Sequence, residues 1–148
     1  MITEMYLLDN NVLSHVTRAQ RASQFFLTYC RVPTEVLYEA KGYPDAALIR
    51  TIEYPTTATV LKQLGTVMAT VDDADTALVN LYANKGAADP MLIACALGAA
   101  EENAHYLFAA EWIVVSNDKA VRAKATQFGI RAWTREAFLA RAQNNWSE

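Results

Sequence analysis

Apolar residues along the chain fall into short runs that alternate with stretches of helical spacing. Residues 4–9 (EMYLLD) form an apolar run closed by an acid, the pattern of a buried strand. Val12, Leu13 and Val16 then recur at helical spacing over 10–17. A second short strand is expected at 29–33, with Thr34 placed to cap a helix through about 41. Gly42, Pro44 and Asp45 punctuate the chain. Helices are expected over 45–53 and 57–68, the second starting just after Pro55, and 69–71 adds a strand or an extended turn. Asp72, Asp73 and Asp75 precede Ala77, Leu78 and Leu81 in a helix closed by Lys85-Gly86. Asp89-Pro90 reads as a cap followed by proline at the first helical position, opening a helix to at least Ala100 and, with a break, to Ala110. Residues 112–116 (WIVVS) are another buried strand, 117–128 a helix stopped by Gly129, 130–133 a short strand and 134–142 a closing helix.

Strands alternating with helices predict an α/β fold: a central, twisted, parallel sheet of 4–5 strands, flanked by helices on both faces and joined by right-handed crossovers. The 148 residues suit one domain over 1–142, with 143–148 expected to fray. No repeat or linker interrupts the pattern. The apolar runs are too short to span a membrane, and Glu4 breaks the layout of a signal peptide, so a cytoplasmic protein is expected. Cys30 and Cys95 are too few for a disulfide framework and read as reduced core thiols. The formal net charge of −3 is not that of a general nucleic-acid binder. Its distribution is uneven, however. From Trp112 onward Lys119, Arg122, Lys124, Arg131, Arg135 and Arg141 face only Asp118, Glu136 and Glu148, a bias that suits phosphate contacts or a solvated helix face.

Asp9 and Asp118 each close an apolar strand and lead into a helix. In an open parallel sheet such positions share the carboxyl edge, where ligands collect. Asp89 is placed to bring a third acid there, and the helix after the second strand offers Glu35 and Glu39. Clustered carboxylates repel one another unless a cation compensates. Hard oxygen donors without a Cys/His cluster select Mg²⁺ or Mn²⁺, ions able to activate water and stabilise a leaving oxygen in phosphodiester hydrolysis.

Four segments carry a resemblance that covers nearly the whole chain: Leu7-Leu8-Asp9-Asn10-Asn11-Val12-Leu13, Val36-Leu37-Tyr38-Glu39-Ala40-Lys41-Gly42, Ala88-Asp89-Pro90-Met91-Leu92-Ile93-Ala94-Cys95-Ala96-Leu97, and Val114-Val115-Ser116-Asn117-Asp118. In order and spacing the chain resembles the PIN-domain family, in particular its VapC-like toxin ribonucleases. The resemblance implies metal-dependent cleavage of RNA to 5′-phosphate and 3′-hydroxyl products. It also implies a homodimer and a cognate antitoxin. It makes Asp9, Glu39, Asp89 and Asp118 the acidic set, with Asn11 and Ser116 in support. The link at 101–111 is longer than the family's usual one.

Each of these residues also has a plainer reading. Asp9, Asp89 and Asp118 are good helix caps. Glu35 is a first-turn acid that suits the helix dipole. Glu39 lies one turn later on the same face, where the dipole opposes it, so both remain candidates for the second acid and Glu39 leads. Asn11 either orients Asp9 or bonds its local backbone, and Ser116 bonds Asp118, a phosphate or a strand-end turn. Lys119 and Arg122 are placed to line a substrate path, as is Lys124, or simply to face solvent. Asp72, Asp73 and Asp75 suit a solvated helix start, His15 and His105 a surface or packing role, and Tyr6, Trp112, Phe128 and Trp133 the core. Two other functions compete: a non-catalytic binding module on the same fold, and phosphotransfer through an aspartyl-phosphate at Asp9. The latter usually needs an acid two residues on, where this chain has Asn11.

Overall fold

The computed structural model describes residues 3–70 and 88–146, built around a five-stranded sheet in the order β3-β2-β1-β4-β5. The strands are β1 (Glu4–Leu8), β2 (Cys30–Pro33), β3 (Glu53–Tyr54), β4 (Glu111–Val115) and β5 (Ala132–Trp133). All four pairings are parallel, and β1 and β4 run in register from Glu4 opposite Glu111 to Leu8 opposite Val115.

Side chains alternate between the two faces of a strand, and here both faces are covered. Tyr6 and Leu8 of β1, with Ile113 and Val115 of β4, point into a core shared with Val12, Leu13, Phe26, Val36 and Phe138. That layer comes from α1 (Asn10–Ser14), α3 (Gln24–Tyr29), α4 (Thr34–Glu39) and α9 (Arg135–Ala142). Leu7 and Val114 point the other way, into Val60, Val67, Leu92, Ile93, Val121 and Ala125. These lie on α6 (Ala58–Ala69), α7 (Ala88–Glu102) and α8 (Lys119–Gln127). The apolar runs read from the sequence are therefore continuous because neither face of β1 at 6–8 or of β4 at 113–115 meets water. Among the described residues no helix is long and apolar enough to cross a membrane.

Several elements depart from the expected pattern. The helix expected over 45–53 is a short α5 (Ala46–Ile49) and a 3₁₀ turn (Arg50–Ile52), followed by the edge strand β3. Ile49 and Ile52 are both buried and account for the helical spacing. Pro55 biases the preceding residue, Tyr54, to extended backbone, and Tyr54 pairs with Pro33. The strand or turn expected at 69–71 does not form at its start, because Ala69 still belongs to α6. The region 18–29 carried no expectation and forms α2 (Arg18–Arg21) and α3, capped by Thr17 and Ser23. α7 starts at Ala88, so Asp89 and Pro90 sit in its first turn instead of at the cap and first position. Proline is tolerated there because a first-turn N–H has no partner within the helix. That helix ends at Glu102, well short of Ala110. The strand expected at 130–133 shortens to Ala132–Trp133, after Gly129 at φ 75° has closed the preceding turn. Fraying does not begin at Gln143: residues Gln143–Asn145 make a 3₁₀ turn, and Trp146 packs edge-on against Phe25 with ring centroids 5.5 Å apart. The helix expected from Asp72, Asp73 and Asp75 to Lys85-Gly86 lies outside the described residues.

One buried ion pair ties this layer together. Arg21 grips Asp45 with two bonds, Nε to Oδ2 at 2.7 Å and Nη2 to Oδ1 at 2.8 Å, and gives Nη1 to the Val16 carbonyl at 2.6 Å. Removing one member of such a pair strands the other, so Arg21→Met is expected to cost about 3–5 kcal/mol in urea unfolding at neutral pH. The Arg21 guanidinium holds the Asp45 carboxyl below its ordinary value of 3.8. Its contribution is thus present above that value and fades as the pH falls through the lowered one, so the gap between wild type and variant should narrow in strong acid.

Candidate active site

The chain winds from β1 outward to β2 and β3, then returns to the other side of β1 for β4 and β5. The order reverses between β1 and β4, and the crevice beyond their carboxyl ends is where such sheets bind ligands. Leu8 and Val115 are opposite one another at those ends, which puts Asp9 and Ser116 next along adjoining strands.

Asp9 is only 6% exposed. It caps α1, its Oδ1 accepting the Val12 N–H at 2.9 Å. Burial raises its carboxyl pKa above the ordinary value, and the Asp118 charge adds to the rise. Hydrogen bonds from the Val12 N–H and the Ser116 hydroxyl, with the charge of Arg135, pull the other way. Ser116 is fully buried, and its Oγ accepts the Asp118 N–H at 3.1 Å. The Ser116 hydroxyl thus accepts from the Asp118 backbone, and its influence at Asp9 opposes the rise in that carboxyl's pKa. Asp118 caps α8 in turn, its Oδ1 accepting from Ala120 N at 2.8 Å and Val121 N at 3.3 Å. Both capping carboxylates lie just beyond the carboxyl ends of the adjoining strands β1 and β4, so a capping role does not remove them from that edge.

The other expected members are less closely gathered. Asp89 lies in the first turn of α7, and its side chain is outside the described residues. Glu39 is exposed at the last position of α4, while Glu35 is partly buried in its first turn. The Glu35 charge reaches Cys95, whose thiol burial pushes up to about 12. Among the described residues no three Asp, Glu, His or Cys side chains gather as a metal site. Asp9 and Asp118 are the pair in hand.

The supporting groups also shift. Asn11 turns its Oδ1 to Arg135 Nη1 at 2.8 Å, so its side-chain bond goes to a cation and not to Asp9. Arg122 gives Nη1 to the Ser116 carbonyl at 2.9 Å and closes the end of β4, while Lys119 is exposed. Lys124 is 7% exposed and reaches Thr70 Oγ1 at 3.3 Å and Gln127 Oε1 at 3.0 Å. His15 Nδ1 lies 3.4 Å from Arg135 Nη1. Tyr6 and Trp133 pack in the first core and Phe128 against the second, as expected.

Arg135 is a residue that the sequence placed only among the basic residues of the last third and did not single out. A signal was present: a cation in the first turn of a helix opposes the dipole, and this helix follows the last parallel strand at the same edge as the acids. One further consequence concerns Asp9. Asp9→Asn keeps a capping group and removes a desolvated charge. Below pH 3.8 both forms are neutral and should unfold alike; as the pH rises through the raised pKa only the wild type loses stability, because its unfolded chain releases the proton first. Denaturation in chelator at pH 3.5 and 7 should show the variant gaining only at the higher pH.

A family model described as PIN domain matches residues 6–136. No curated protein matches the chain. The matched span runs from β1, through the turn bearing Ser116 and Asp118, to the start of α9, and so includes both strands that flank the crevice. PIN domains are generally nucleases that use divalent metal ions. With a parallel sheet that reverses between β1 and β4, and an acid following each of those strands, the chain belongs to the PIN-domain family.

Proposed function

We propose that this protein is a metal-dependent endoribonuclease, the toxin of a toxin–antitoxin pair of the VapC-like kind. The observation that carries the reading is the pair of acids at the switch point: Asp9, buried just after β1, and Asp118, whose N–H is held by Ser116 just after the adjoining β4. The charge of Asp118 disfavours the ionised form of Asp9, and a divalent cation turns that cost into binding. Asp9 and Asp118 would hold Mg²⁺ or Mn²⁺, with Asp89 and Glu39 completing the set by their motif positions and Glu35 as the substitute for Glu39. The ion, when bound, supplies Lewis acidity to a phosphoryl oxygen and lowers the pKa of an attacking water.

The chain's own residues do the rest. The α1 and α8 N-termini fix the two carboxylates, so their orientation does not have to be won when substrate arrives. Ser116 favours the ionised form of Asp9 and so offsets part of the cost of its burial. The substrate is RNA, and the products carry 5′-phosphate and 3′-hydroxyl ends. A homodimer in the cytoplasm, restrained by an antitoxin, completes the proposal.

Purified protein should cleave RNA with Mg²⁺ or Mn²⁺ and stop in chelator. Asp9→Asn and Asp118→Asn are each expected to lower cleavage by about 10³-fold or more while calorimetric metal binding weakens in parallel. Metal binding without cleavage would favour a non-catalytic module. Undiminished cleavage by Asp9→Asn would remove the site from the mechanism.

A further inference from the structure

Arg135 opens α9, where a positive charge works against the helix dipole, yet the surrounding polar groups fasten it in place. Its backbone N–H donates to Asn117 Oδ1 at 2.6 Å, tying it to the turn that carries Ser116 and Asp118. Its Nη1 donates to Asn11 Oδ1 at 2.8 Å, tying it to the helix that Asp9 caps. Its Nη2 donates to Glu136 Oε1 at 3.0 Å, and Glu136 is steadied by Asn117 Nδ2 at 3.2 Å. The guanidinium is thus mounted between the two acid-bearing loops. It remains 22% exposed, and its charge is felt at Asp9.

An acidic crevice repels the phosphodiester it is meant to admit. A planar fork of N–H donors beside the acids offsets that repulsion and matches the geometry of a phosphate. Arg122 is committed to the Ser116 carbonyl, and Lys119 stands exposed with no anchoring contact among the described residues. The contact with Glu136 is an exposed ion pair, which a phosphate displaces at little cost. We propose that Arg135 binds a phosphate of the nucleic-acid strand next to Asp9 and Asp118, and that Asn11 and Asn117 are the positioning residues that aim it. The proposal rests on the nuclease reading for its substrate class.

The test measures both cleavage kinetics with Mg²⁺ and, in chelator, the binding of a labelled single-stranded RNA across a salt series. Arg135→Met should weaken RNA binding about tenfold and reduce the slope of log affinity against log salt by about 0.7, the loss of one phosphate contact on a single strand. KM should rise by a similar factor. Arg135→Lys should recover the slope but not the full affinity, because it keeps the charge and loses the fork. Asn11→Ala should weaken binding in the wild type and do nothing further beside Arg135→Met. Thermal melts check that each variant is folded. A slope and KM unchanged in folded Arg135→Met overturn the proposal and leave the nuclease reading intact. Wild type that binds RNA with the predicted Arg135 dependence but cleaves nothing overturns the nuclease reading and leaves the phosphate contact standing. Wild type that neither binds nor cleaves RNA overturns both.

Discussion

Burying both faces of a parallel sheet leaves polar groups few places to go, and the carboxyl edge between β1 and β4 is where this chain puts them. Leu7 and Val114 are sealed under one helical layer, and Leu8 and Val115 under the other. The strands can therefore end only in residues that satisfy helix N-termini, and Asp9 and Asp118 do so. The same bonds that start α1 and α8 set a buried carboxylate, Asp9, and a partly buried one, Asp118, at one edge of the sheet. Stability and chemistry pull in opposite directions at Asp9: the fold tolerates a raised pKa there, and Val12, Ser116 and Arg135 each offset part of the cost.

How much of this was legible in the sequence depends on whether a signal is local. β1 and β4 announced themselves because continuous burial on both faces erases the polar alternation of a half-exposed strand. Asp9 and Asp118 were legible for the same reason, each being the first polar group after such a run or its turn. β3 was not. Two residues carry no periodicity, and Tyr54 is extended because of Pro55 and its pairing with β2, the second of which is a long-range fact. The tail misled in a similar way: Trp146 is held by Phe25 and Phe138, which come from elsewhere in the chain.

Arg135 did not stand out from the other basic residues of the last third for a related reason. Nearness to Asp118 along the chain pointed to Lys119, Arg122 and Lys124, and the fold spends Arg122 on a strand end and buries Lys124. Arg135 lies one strand later, and only the β4–β5 pairing makes that strand a neighbour. Asn11 shows the same displacement of roles. It stands two residues from Asp9 in sequence but serves a side chain from the far end of the domain.

The outermost strands, β3 and β5, are each two residues long. A strand that short exposes almost no unpaired ladder, so a foreign chain finds little template for extending the sheet. Edge-to-edge aggregation and strand exchange are correspondingly disfavoured in the folded state. Self-association of this protein would then have to proceed through its helices and loops, and the sheet would stay a closed interior framework at any concentration at which the fold survives.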